Sequence, residues 1–107
     1  MRFAWDAGNN ALNRRKHGIG FEECKELFTS GVEYLELFDE AHSKDEERFL
    51  AIGPIARGLV AVVWTERHKN VVRVVSARLA TKREHTDVDD FRRLASGAPH
   101  VVIANIA

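Results

Sequence analysis

With one cysteine and two prolines in 107 residues, the sequence has few covalent constraints. Cys24 alone excludes an intrachain disulfide and any multi-cysteine metal site. No apolar run reaches the roughly eighteen residues of a membrane span. The opening MRFAWDAGNN has no apolar core of the signal-peptide kind. The chain is therefore expected to be soluble and cytoplasmic, with no membrane partner. Net charge is absent too, since sixteen basic residues meet sixteen acidic ones, which at first sight argues against nucleic acid. What is present, 45% hydrophobic and 30% charged residues, fits one compact domain and hardly two. Residues 1–95 read as its core and 96–107 as an atypical apolar tail. A domain of this size buries only about 60–68% of the surface its unfolded chain exposes. A permanent partner would add stability.

The charge is unevenly placed. Residues 29–50 hold seven acids against two bases, and residues 51–86 hold seven bases against two acids. A neutral chain can thus still present a basic surface to phosphate. The competing explanation is that the two segments pair with each other across a sheet, since surface ion pairs are common and cheap.

Residues 2–5 read as a short strand. Asp6 or Asn9 is placed to cap a helix running to Lys16, with Gly18 as its stop. Ala7, Ala11 and Leu12 lie near one face of that helix, and Arg14, Arg15 and Lys16 crowd its last turn, where cations complement the dipole. Phe21, Cys24, Leu27 and Phe28 have the spacing of a buried helical stripe over 21–29. Cys24 on that stripe is read as a small core hydrophobe rather than a reactive thiol. Four strand-like runs follow: Tyr34–Phe38, Arg48–Ile52, Leu59–Thr65 and Val71–Ala77. The polar loop DEAHSKDEE separates the first two, and Asn70 sits in the turn between the last two, which are apolar enough on both faces to be central. Thr81 and Glu84 are spaced as a capping box for a helix reaching Leu94. Pro99 bends the chain into HVVIANIA, an added edge strand or, by a small margin, a segment that pairs with another chain. The expectation is an α+β domain of order β-α-α-β-β-β-α.

Alternation along the strands assigns faces. Arg48 falls with Leu50 and Ile52, Glu66 with Val62 and Trp64, and Arg67 with Ala61 and Val63. Arg73 falls with Val71 and Val75, while Ser76 and Arg78 fall with Val72 and Val74. An unpaired buried charge costs several kcal/mol, so each arginine needs a carboxylate, a ligand or a strand end. Glu46, Glu47 and Glu66 are available, and an ion pair is the simpler explanation for any one arginine. The set carries more meaning. Arg48, Arg67, Arg73 and Arg78, with Glu66 and either His17 or His68, contain what metal-free phosphodiester cleavage requires. A base must take the ribose 2′-hydroxyl proton, fixed cations must meet the charge growing on phosphate, and a proton must reach the leaving 5′-oxygen. Guanidinium suits the middle task because its planar fork stays charged. Metal chemistry has less support, as the five histidines show no paired ligand spacing, and Asp87, Asp89 and Asp90 near His85 read as a solvated helical turn. Neither a glycine-rich phosphate loop nor a nucleophile elbow around Ser76 is present, and no cofactor is expected.

Three stretches resemble the BrnT toxins of bacterial type II toxin–antitoxin pairs: FAWDAGNNALNRRKHGIGFEEC at 3–24, HSKDEERFLAIG at 42–53 and VVWTERHKNVVRVVSARLATKRE at 62–84. The resemblance implies a RelE-like α+β fold, with two N-terminal helices on one face of a small antiparallel sheet and a C-terminal helix. It further implies a translation-blocking endoribonuclease acting on mRNA, with ribosome dependence left open. Its partner would be a BrnA-like ribbon-helix-helix antitoxin, with operator DNA contacted only through that antitoxin. A homodimer or a 2:2 complex with the antitoxin is compatible with this. The family's recurrent polar positions fall on Lys16, His17, Arg48, Glu66, Arg67, Arg73, Ser76 and Arg78. Among them His17, Arg48, Glu66, Arg73 and Arg78 would be catalytic, with Glu66 or His17 as base, and Lys16, Arg67 and Ser76 would bind RNA. Two departures stand out. Gly20 replaces the serine that often caps the second helix, and the segment after Glu84 lacks the usual charged, Tyr-Glu-containing helix. A non-catalytic co-repressor module, or a degenerate toxin that keeps only the fold, is the alternative.

Overall fold

The computed structural model describes residues 2–68, 70–94 and 102–106. Its elements in chain order are β1 (Arg2–Ala4), α1 (Ala7–His17), α2 (Phe21–Thr29), β2 (Leu35–Asp39), a 3-10 turn (Glu40–His42), β3 (Arg48–Ile55), β4 (Gly58–Glu66), β5 (Val71–Leu79), α3 (Lys82–Leu94) and β6 (Val102–Ile106). Four strands lie between α2 and α3, one more than the order β-α-α-β-β-β-α allows, because each of the four apolar runs forms its own strand. They make one mixed sheet in the order β1-β5-β4-β3-β2-β6, antiparallel from β5 to β2 and parallel at both outer pairs. β6 pairs in cis with β2, correcting the preference for pairing with another chain. Pro99 lies outside the described residues.

The signals at the helix ends act as their chemistry dictates. Asp6 accepts from the Asn9 backbone N–H at 2.9 Å, and Gly18 stops α1 in the left-handed region at φ 73°. Gly20 has no side chain to cap α2, and the Glu23 carboxylate instead accepts from the Gly20 N–H at 2.9 Å. Thr81 and Glu84 form the reciprocal box expected, with bonds of 2.8 and 3.2 Å.

The main core lies between α2 and one sheet face. Phe21, Cys24 and Leu27, all buried, meet Ala51, Val60, Val62, Val72, Val74 and Ala77. Each large side chain there contributes roughly 1.5–3 kcal/mol of burial. Val88 of α3 joins a smaller cluster with Leu35, Ile52 and Ala61, which alternate with the main-core positions and so occupy the other face.

Two expectations need correction. The face α1 buries is polar, made by Asn10 and Asn13, while Leu12 is 58% exposed. The reason is that α1 serves a sheet edge rather than a sheet face. β1 covers β5 only from Val71 to Arg73, which leaves the rest of that edge uncovered. The Asn13 carboxamide accepts from the Ala77 N–H at 3.1 Å and donates to the Ala77 and Ile19 carbonyls at 2.8 and 2.9 Å. It stands in for a neighbouring strand. β5 is accordingly second from the edge and not central.

Candidate active site

A further correction sets the geometry of the site. Val74 pairs with Trp64 and Ser76 with Val63, so Val75 has no partner on β4. This β-bulge inserts one residue into β5 and shifts everything beyond it to the opposite phase. Arg73 pairs with Thr65, Ser76 with Val63 and Arg78 with Ala61, all on one face, whereas simple alternation had separated Arg73 from Ser76 and Arg78. Arg48 also pairs with Thr65, so Arg48 and Arg73 flank this buried threonine from the two neighbouring strands.

The bulge also lets two consecutive strand residues, Val75 and Ser76, line one cleft, which a regular strand could not do. This cleft of about 580 Å³ runs between β5 and α1. Asn9, Leu12, Asn13, Lys16 and His17 form its helical wall, at the i, i+3, i+4, i+7, i+8 spacing of one helix face, and Arg15 joins them. Lys16, His17 and Ser76, distant in sequence, are thus brought together. Asn9, Leu12, Asn13, Arg15 and Val75 belong to the cleft and were missed by sequence reasoning. The available signal was a pair of asparagines, Asn10 and Asn13, where the apolar stripe of an amphipathic helix would fall.

The other expected residues divide. Arg78 is held by Glu84 of α3 in a bidentate pair at 2.6 and 2.9 Å. The Glu84 carboxylate pushes the Arg78 guanidinium further up, and Arg78 in turn holds the Glu84 carboxyl below its ordinary range. Arg67 reaches Glu46 at 3.4 Å, an exposed contact and a cross-sheet pairing between the basic and acidic segments. Arg48 and Arg73 have no ion-pair partner among the described residues, and Arg48 Nε is buried without a hydrogen bond. Glu66 pairs with Val72 and so points to the α2 side, away from the arginine face. There it helps raise the buried Glu36 carboxyl, whose larger cause is burial. Cys24 is pushed up to about 12, first by burial and then by Glu23 and Glu22, as befits a core residue.

The family model for the ribonuclease toxin BrnT of type II toxin–antitoxin systems matches residues 5–84, three quarters of the chain. The chain belongs to the BrnT family. Its fold is similar to that of the Brucella abortus ribonuclease toxin BrnT, known from a 1.1 Å crystal structure. The two align at 24% identity with a TM-score of 0.58, over 77% of this chain and 99% of that one. No curated protein matches the sequence. The BrnT match spans Lys16, His17, the bulge and both unpaired arginines. It stops at Glu84, the residue that holds Arg78. Among the described residues no helix is long and apolar enough to cross a membrane, and no three His, Cys, Asp or Glu side chains gather as metal ligands.

Proposed function

We propose that this BrnT-family chain cleaves RNA without a metal at the cleft between α1 and β5. The observation that carries this reading is the bulge. It aligns Ser76 with the unpaired Arg73 and turns it toward Lys16 and His17. In the proposed reaction His17 takes the proton from a ribose 2′-hydroxyl, and the 2′-oxygen attacks the adjacent phosphorus. Arg73, with Arg48 beyond Thr65, meets the negative charge gathering on the phosphoryl oxygens. Lys16 or solvent protonates the departing 5′-oxygen. The products are a 2′,3′-cyclic phosphate and a 5′-hydroxyl. Glu66, on the far face, is not assigned the base role, and Arg78 binds phosphate only when Glu84 releases it. Ser76 and Arg67 contact flanking RNA.

The same reading includes a RelE-like fold around the antiparallel strands β2 to β5, with α1 at the sheet edge, translation arrest through mRNA cleavage, and neutralisation by a BrnA-like ribbon-helix-helix antitoxin that carries the pair to operator DNA. The Arg78–Glu84 pair favours a second reading, in which the chain has lost cleavage and persists as a co-repressor subunit.

Incubating purified, antitoxin-free protein with RNA in EDTA and analysing the product ends separates the two. Wild type is expected to leave cyclic phosphate ends, while His17→Ala and Arg73→Ala lose cleavage and keep the wild-type thermal midpoint. Intact RNA with wild-type protein would overturn the enzyme. Full activity in both variants would overturn the site.

A further inference from the structure

We propose that the wall formed by Asn9, Leu12 and Val75 is a nucleobase subsite, holding the base of a nucleotide next to the scissile phosphate. This rests on reading the cleft as an RNA site. Leu12 is 58% exposed, in the middle of α1 and flanked on its own helix face by asparagines. No fold requirement explains it, since the buried contacts of α1 are made by Asn10 and Asn13. Val75 faces the same cleft from β5, and only because the bulge frees it from pairing. An aliphatic surface is thus offered from the helix and from the strand, in a cleft of about 580 Å³, within the size that takes a nucleotide.

The polar groups around these two residues select the occupant. One helical turn before Leu12, Asn9 presents a carboxamide with no hydrogen-bond partner among the described residues, a group that can both donate to and accept from a base edge. One turn after it, roughly 6 Å along the helix axis, stand Lys16 and His17, with Arg15 beside them. Read along the helix, the order is base-edge reader, apolar surface, cation. Among the described residues no carboxylate lines the cleft, so a basic or neutral apolar peptide finds no charge to match, whereas an anion attached to a flat apolar ring matches each part.

Fluorescein-labelled 2′-O-methyl hexanucleotides test this directly, because a methylated 2′-oxygen cannot attack phosphorus and binding is read without cleavage. Oligouridine, oligoadenosine and an abasic strand of the same charge are titrated by anisotropy. Both base-bearing strands are expected to bind more tightly than the abasic one. Leu12→Ala should weaken them about fivefold, the value of about half a buried leucine side chain, without changing the abasic affinity, and Leu12→Met should restore them. Asn9→Ala should narrow the difference between uridine and adenosine. Equal affinity for base-bearing and abasic strands, no binding at all, or indifference to Leu12→Ala would overturn the subsite. Base-dependent binding by wild-type protein that leaves ordinary RNA uncut would overturn only the catalytic reading.

Discussion

Asn13 shows how much one polar side chain can decide. Its carboxamide makes three bonds of 2.8–3.1 Å to the Ala77 and Ile19 backbone, in a buried setting where water cannot replace them. Truncation leaves one amide and two carbonyls without partners. Asn13→Ala is therefore expected to cost about 2–4 kcal/mol in urea unfolding, and Asn13→Asp to cost at least as much, because a carboxylate cannot donate to either carbonyl. Asn10 works similarly at the next element, accepting from the Phe21 N–H at 2.8 Å and donating to Glu22 at 3.0 Å. The arginines sort by the same accounting. Arg57 and Arg78 are satisfied by Glu23 and Glu84, whereas Arg48 and Arg73 have cationic capacity left over for a phosphate.

At the scale of elements, α3 meets the sheet through Val88, buried beside Leu35, Ile52 and Ala61, and the box at Thr81 and Glu84 fixes its start. Glu84 serves both that box and Arg78, so Glu84→Ala removes a cap and a pair together. The expected loss is about 1–2 kcal/mol, most of it from the cap, since Arg78 is 40% exposed and the pair is screened. The sign with pH is fixed by the lowered Glu84 carboxyl. Its contribution is complete above the carboxylate's unfolded value and is lost as pH falls through the folded one. Thermal melts of wild type and Glu84→Ala should accordingly converge on acidification. The β5 bulge is the other element-scale device. One extra residue re-phases the strand and opens a cleft at the place where β1 stops covering the edge.

Over the whole molecule the two sheet faces divide the work. The α2 side carries the main core and, towards its rim, Glu36 and Glu66, while the other carries Arg48, Arg73, Ser76 and Arg78. Zero net charge thus does not prevent Arg48 and Arg73, neither of which has an ion-pair partner among the described residues, from sharing one face. The acidic side has its own cost. Burial, and then Glu66, raises the Glu36 carboxyl above its unfolded value, so the folded state holds the proton more tightly and stability falls as pH rises between the two values. Glu36→Gln is expected to melt at a higher temperature than wild type at neutral pH and to lose that advantage in mild acid. An unchanged difference between the two pH values would show that Glu36 does not titrate in the fold.

The sequence by itself determined what is local. The caps at Asp6, Gly18 and Thr81–Glu84, the α2 stripe through Cys24, and the four apolar runs all follow from turn chemistry and periodicity over a few residues. Family membership was legible in the same way, from contiguous stretches. Only the tertiary structure decided which arginines share a face. A bulge depends on how β5 meets β4 and leaves no mark in the alternation of β5 alone. It also decided that Asn10 and Asn13 face inward, because a carboxamide is worth burying only where a distant backbone offers it partners.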